Sequence, residues 1–122
     1  MILVDTSVWV DHLRRADPQM TVLLEATRVL GHPFVFGELA LGSVRQRSAF
    51  LDVMAMLPLA KIARDEEVLH LIQNNKLAGA GIGYVDAHLL AAVLITQGST
   101  IWTRDKRFKA VAVGLGLAAK FD

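Results

Sequence analysis

The chain reads as an α/β domain, a small and mostly parallel central sheet flanked by helices in a three-layer sandwich. Three observations predict this. Ile2-Leu3-Val4 is a short, continuous apolar run, as expected of a strand buried on both faces. Extended and helical signals alternate from one end of the chain to the other, the pattern of parallel-sheet proteins. The 122 residues suit one domain spanning 1–122, with neither linker nor internal repeat.

The first strand stops at Asp5-Thr6-Ser7, three good helix caps, and a helix is expected from Val8 to about Arg15. Asp17-Pro18 starts a second helix, with proline at its first position, running through Val22, Leu23 and Ala26 to Leu30, where Gly31 ends it. His32-Pro33-Phe34-Val35-Phe36 reads as a second strand, and Gly37-Glu38 opens the next helix, through Leu41, Val44 and Arg45. Residues 49–57 fit helix or strand equally, and Leu57-Pro58-Leu59 reads as extended. Asp65-Glu66-Glu67 starts a helix, because acids in the first turn oppose the positive end of its dipole. Gly79 to Gly83 is a break. Val85 to Thr96 is the clearest helix, stopped by Gln97-Gly98. Ser99 to Thr103 is a strand, Asp105 to about Val111 a turn and short helix, and Lys120-Phe121 a last strand.

Composition narrows the function. A 53% hydrophobic, 20% charged chain has ample core and apolar surface to spare for a partner. There is no cysteine, so disulfides, thiolate metal sites and thiol nucleophiles are excluded. No targeting signal or membrane-spanning run is visible, and a cytoplasmic location is expected. At a net charge of +1, attraction to nucleic acid has to be local.

Four acids stand out by position. Asp5 follows the first strand, Glu38 the expected Phe34–Phe36 strand and Asp105 the strand ending at Thr103, while Asp86 lies in the first turn of the most apolar helix. Ligands of open parallel sheets bind beyond the carboxyl ends of the strands, so connectivity brings three of these acids to one edge. Each acid taken singly is explained by helix capping, worth about 1 kcal/mol. Capping does not explain three strand ends that all carry an acid. Two carboxylates ~4 Å apart repel by ~4 kcal/mol at an effective dielectric near 20, and a divalent cation reverses that sign. An all-oxygen donor set suits Mg²⁺ or Mn²⁺ and the in-line cleavage of phosphodiesters.

Val4-Asp5-Thr6-Ser7-Val8-Trp9, Gly37-Glu38-Leu39, Val85-Asp86-Ala87-His88-Leu89-Leu90-Ala91-Ala92 and Trp102-Thr103-Arg104-Asp105-Lys106-Arg107-Phe108 resemble, in order and spacing, the four sequence blocks of a PIN domain. More narrowly they resemble the VapC toxins of VapBC toxin–antitoxin pairs. The resemblance covers Ile2 to about Phe108 and implies an Mg²⁺- or Mn²⁺-dependent endoribonuclease that cuts structured RNA such as tRNA or rRNA and is silenced by a cognate antitoxin. It implies Asp5, Glu38, Asp86 and Asp105 as the catalytic acids, with Asp5, Asp86 and Asp105 as metal ligands and Thr6 and Thr103 as supporting hydroxyls. Some relatives carry a further acid after the last one. Here Lys106, Arg107 and Lys109 stand in that region, which leaves one or two metals open.

Arg104, Lys106, Arg107 and Lys109 flank Asp105 and suit either holding RNA phosphates or a solvated, solubilising cluster, with Arg45 and Arg47 as weaker candidates. His88, two residues past Asp86, reads as a structural histidine, and Trp9, Phe34, Phe36 and Trp102 read as core, with Trp9 also suited to lining an antitoxin groove. The Val-, Leu- and Met-rich first helices fit antitoxin binding, and a homodimer is expected through another surface. A DNA nuclease or housekeeping RNA-processing nuclease on the same fold is the alternative. A Mg²⁺-binding regulatory α/β module fits less well, since the nearest lysine to a late strand end is Lys106. An inactive scaffold is opposed by the presence of all four acids.

Overall fold

The computed structural model describes residues 1–42 and 47–121. Arg45 lies outside them, and Arg47 is described only as the first residue of its helix. The described elements run β1 (Ile2–Val4), α1 (Thr6–Arg14), α2 (Pro18–Glu25), β2 (Val29–Leu30), α3 (Pro33–Leu41), α4 (Arg47–Met56), α5 (Asp65–Asn74), α6 (Tyr84–Ile95), β3 (Thr100–Trp102) and α7 (Lys106–Gly114). The three strands are parallel in the order β2-β1-β3. β1 is central and wholly buried, as its unbroken apolar run requires. Single parallel bridges, Gly31 to Leu59 and Ile101 to Ala118, extend the sheet at either edge.

The segment between α1 and α4 differs from the sequence expectation. The second helix ends at Glu25, after which Thr27 takes a left-handed φ of 53° and Val29-Leu30 form β2 against Ile2 and Leu3. Gly31 therefore follows a strand and caps no helix. A Cβ there would sit 2.3 Å from the Phe36 ring, so glycine lets α3 close against the sheet. The expected strand His32–Phe36 is the start of α3. His32 caps it, its Nδ1 accepting from the Phe34 N–H at 3.0 Å, and Pro33 occupies the first position. The Phe34-x-Phe36 alternation imitated a strand, but the buried pair on this segment is Val35 and Leu39, at helical spacing.

Elsewhere the differences are small. α1 begins at Thr6, residues 47–56 are helical, and the expected strand at Lys120-Phe121 is replaced by the bridge at Ala118. Leu57-Pro58-Leu59 is extended enough for Gly31 to donate to the Pro58 carbonyl at 2.8 Å. α6 is buried along Ala87–Val93, which fits its nearly all-apolar composition. No helix among the described residues is long and apolar enough to cross a membrane.

Candidate active site

Asp5 leaves β1 in an extended conformation, and its N–H donates to the Trp102 carbonyl at 2.9 Å, carrying the β1–β3 pairing one step past the strand. Although Asp5 occupies the cap position of α1, its carboxylate caps nothing. Instead, Oδ2 accepts hydrogen bonds from Ser7 Oγ at 2.8 Å and Thr103 Oγ1 at 2.7 Å. Asp5 and Thr103 are both buried, so these bonds substitute for water around a charge that would otherwise be costly to desolvate.

Thr103 ties two acids together. Its hydroxyl donates to Asp5 and accepts the Asp105 N–H at 3.1 Å. Ser7 Oγ similarly accepts the Arg104 N–H at 3.0 Å. The chain that emerges from β3 is thus fastened at two successive N–H groups to hydroxyls that surround Asp5. Ser7 was readable in the sequence only as one of three cap-forming residues. A serine two positions after an acid, at a strand end that meets another acidic strand end, was the signal for its second role.

Glu38 does not follow a strand. It lies in the second turn of α3, exposed, and its Oε1 accepts from Thr6 Oγ1 at 2.7 Å. Thr6 stands next to Asp5 at the start of α1, and this bond joins Glu38 to the cluster from the neighbouring helix. Asp105 and Asp86 do serve as caps. Asp105 Oδ1 accepts the Phe108 N–H at 2.9 Å, and Asp86 Oδ2 accepts the Gly83 N–H at 3.2 Å. Each cap engages one carboxylate oxygen, so capping and a second role are compatible.

The four acids share one electrostatic neighbourhood. The Asp86 carboxyl is pushed above the ordinary aspartate range, first by burial and then by the charges of Asp5, Asp105 and Glu38, against the opposing Gly83 hydrogen bond. The donor chemistry fits a hard divalent cation: carboxylates and hydroxyls, mutual repulsion that positive charge relieves, and no sulfur. Among the described residues, no three acids or histidines stand close enough together to hold an ion between them.

Arg104 is not poised over this pocket. Its guanidinium donates to Asp11 at 2.7 Å and to Asp17, and lies 5.4 Å from the Trp102 ring centroid. These partners lock the β3 exit to α1 and to the start of α2. The Asp17 carboxyl is held below its usual range first by the Met20 N–H and next by Arg104. Arg107 does face the cluster's border: its side chain lies across Gly81 in the loop leading to Asp86, where a Cβ would sit 2.6 Å from Cδ. Gly81 also has a φ of 83°, so the loop needs glycine twice over. Lys106 is exposed at the start of α7.

The expected core aromatics separate. Trp9 is buried at 2% exposure, its Nε1 without a hydrogen-bond partner among the described residues, while Phe34 is 37% exposed because its segment is a helix. His88 is buried, as a structural histidine should be, with Nε2 against Asp65 Oδ1 at 3.1 Å.

The PIN domain family matches residues 2–114 of this sequence. Ribonuclease VapC32 of Mycobacterium tuberculosis, from strains CDC 1551 / Oshkosh and ATCC 25618 / H37Rv, is 48% identical over 118 residues, covering 97% of this chain and 95% of the relative. With a parallel sheet of order β2-β1-β3 and four acids gathered at the exits of β1 and β3 and on α3 and α6, this chain belongs to the PIN-domain family, in its VapC branch.

Proposed function

We propose that this protein is a metal-dependent endoribonuclease, the toxin of a type II toxin–antitoxin pair, that cleaves structured RNA such as tRNA or rRNA. The observation that carries this reading is the common electrostatic neighbourhood of Asp86 with Asp5, Asp105 and Glu38, an arrangement whose repulsion a divalent cation offsets. The similarity to a ribonuclease over nearly the whole chain supports RNA as the substrate.

In this reading Asp5, Asp86 and Asp105 hold Mg²⁺ or Mn²⁺, which when bound supplies the positive charge that phosphodiester hydrolysis needs to activate water and offset charge on the leaving oxygen. Glu38, held by Thr6, orients the attacking water and accepts its proton. Ser7 and Thr103 keep the Asp5 carboxylate in one orientation. Lys106 and Arg107 bind flanking phosphates. Arg104 acts at one remove, fixing the loop that carries Thr103 and Asp105.

The antitoxin is proposed to dock over the groove of about 430 Å³ between α1, α2 and α4, where Trp9, Leu13, Leu24, Phe50 and Val53 are joined by His12 and Arg14. A homodimer and a cytoplasmic location complete the proposal. The test is cleavage of total RNA by purified protein with Mg²⁺, with Mn²⁺ and with chelator, beside Asp5→Asn. Discrete fragments that require metal and vanish in the variant support the reading. Intact RNA under all conditions, from folded protein free of copurified antitoxin, overturns it.

A further inference from the structure

An open pocket of about 500 Å³ lies where the end of α1 meets the start of α2 and the exit of β3, with Asp11, Arg14, Arg15, Asp17 and Arg104 around it. Its two carboxylates are already engaged. Arg104 donates through Nη1 to Asp11 and through Nη2 to Asp17, so one guanidinium answers both. Arg14 and Arg15 are exposed, and neither has a carboxylate partner among the described residues. Three guanidiniums thus face two carboxylates, which leaves the pocket a net charge of +1. The helix dipole accounts for a base in the last turn of α1, where Arg14 sits. It does not account for a second arginine past the helix end, or for the concave surface that both arginines share.

Bonded contacts join this pocket to the acid cluster. Ser7 Oγ donates to Asp5 Oδ2 at 2.8 Å and accepts the Arg104 N–H at 3.0 Å. The residue whose guanidinium closes the pocket therefore starts two hydrogen bonds from the Asp5 carboxylate. The same path is repeated along α1. Asp11 follows Ser7 by four residues and Arg14 by seven, spacings that share one face of a helix. Arg14 lies about 10 Å along the axis from Ser7. RNA carries a negative charge at every nucleotide, so a strand that sets one phosphate at the acids and follows this face brings another to the arginines. A guanidinium fork suits that phosphate, which it can grip with two parallel N–H bonds. Arg107 borders the cluster elsewhere, at Gly81.

Resting on the ribonuclease reading, we propose that Arg14 and Arg15 bind one backbone phosphate of the RNA substrate, away from the scissile one, in the pocket that Arg104 closes. The ligand is the phosphodiester itself, so the site positions the strand without reading its sequence. Arg104 serves the site by neutralising Asp11 and Asp17 and does not touch the RNA.

The experiment measures binding of a short single-stranded RNA of mixed sequence by fluorescence anisotropy, in chelator, across roughly 50 to 200 mM salt. Each neutralised phosphate of a single strand contributes about 0.7 to the slope of log Kd against log salt. Arg14→Gln combined with Arg15→Gln is expected to weaken binding most at low salt and to lower the slope by about 0.7. Its deficit against wild type then narrows about 2.6-fold across that range. Both positions are exposed, so the variant should keep the wild-type melting temperature. Arg14→Lys combined with Arg15→Lys keeps the charge and should restore the slope. In RNAs carrying one uncharged methylphosphonate at each position in turn, one replacement should weaken wild type and leave the glutamine variant unaffected. Cleavage of total RNA with Mg²⁺ should give the same fragments from the glutamine variant, more slowly. If wild type binds and cuts RNA while the glutamine variant matches it in Kd and slope, the subsite is refuted and the nuclease reading stands. If wild type neither binds nor cuts RNA, both fall together. If RNA binding is unchanged but the variant loses an affinity for polyglutamate that wild type has, the arginines serve an acidic protein segment and the subsite is wrong.

Discussion

Thr103→Val removes one hydroxyl and almost no volume, which makes it a clean probe of the network around Asp5. In the native protein this hydroxyl donates to Asp5 Oδ2 at 2.7 Å and accepts the Asp105 N–H at 3.1 Å. A hydrogen bond to a charged group contributes about 1.5–3 kcal/mol, and water cannot easily replace it where both partners are buried. Ser7 still donates to the same oxygen, so Asp5 is weakened but not orphaned. The Asp105 N–H lies on an exposed turn and can turn to water. Together these place the loss near 2 kcal/mol, roughly a 1 M fall in urea midpoint at the slope usual for small proteins. A domain of ordinary stability, about 5–15 kcal/mol, survives that and stays folded for activity assays. Urea denaturation in chelator, followed by tryptophan fluorescence, measures the loss, and Thr103→Ser should recover most of it. RNA cleavage should fall with Thr103→Val and return with Thr103→Ser, because orientation of Asp5 depends on the hydroxyl. A loss below about 0.5 kcal/mol, or a serine variant no better than valine, would refute the view that this network holds the site together.

Two further predictions concern charge. Asp86→Asn should stabilise the metal-free protein by about 1 kcal/mol near neutral pH, the size usual when a functional-site conflict is relieved. The sign follows from a folded-state pKa raised above the unfolded one: Asp86 favours folding when protonated and opposes it as pH rises through the folded value, whereas asparagine is neutral throughout. Thermal melts in chelator check this; a destabilised variant counts against the cluster. The stabilisation of wild type by added Mn²⁺, about 2.7 kcal/mol at a hundredfold excess over Kd, should largely disappear in the same variant. His32 gives the opposite slope. Burial, with a smaller contribution from His88, lowers it to about 4, so the unfolded chain binds a proton between that value and 6.5 that the folded chain excludes. Stability from this group is complete above pH 6.5 and drains away toward pH 4, costing about 2 kcal/mol between roughly pH 7.5 and 5. His32→Asn keeps a side-chain acceptor for the Phe34 N–H and loses the titration. Its urea midpoints should vary less steeply with pH than those of wild type, and parallel curves would show that the proton goes elsewhere.

Much of the fold could be read because its key elements carry unambiguous ends. β1 is an unbroken apolar run that stops at an acid, and α6 ends at Ile95, just before the turn in which Gly98, with a φ of 75°, leads into β3. The error at α2–β2–α3 has a single physical root. A two-residue strand is too short to show any periodicity, so Val29-Leu30 was absorbed into the preceding helix. The following aromatics then supplied a false alternation, and a histidine cap is a rarer signal than aspartate or serine. That misreading moved Glu38 from a strand end to a helix turn, yet α3 still delivers it to Thr6. Arg104 shows a different limit. Adjacency to Asp105 could be read from the chain, but Asp11 and Asp17, distant in sequence, decide where its guanidinium goes.

The capping explanation and the catalytic explanation of the acids make different demands, and Asp5 separates them. A capping aspartate points its carboxylate at the N–H groups of its own helix, as Asp105 does toward Phe108 and as Asp17 does toward Met20. Asp5 occupies such a position and points elsewhere, into two hydroxyls, one of them from the strand exit 98 residues away. Leaving a helix start uncapped gives up about 1 kcal/mol that the rotated side chain would recover. Burying a carboxylate with hydroxyl partners also costs more than leaving it in water, unless other contacts are gained. A side chain that forgoes the cheaper arrangement is being held for something other than stability. The raised pKa of Asp86, due first to burial and then to Asp5, Asp105 and Glu38, points the same way, since a neutral residue there would fold better. Strain of this kind persists where a ligand of opposite charge relieves it, and the ligand that four convergent carboxylates call for is a cation.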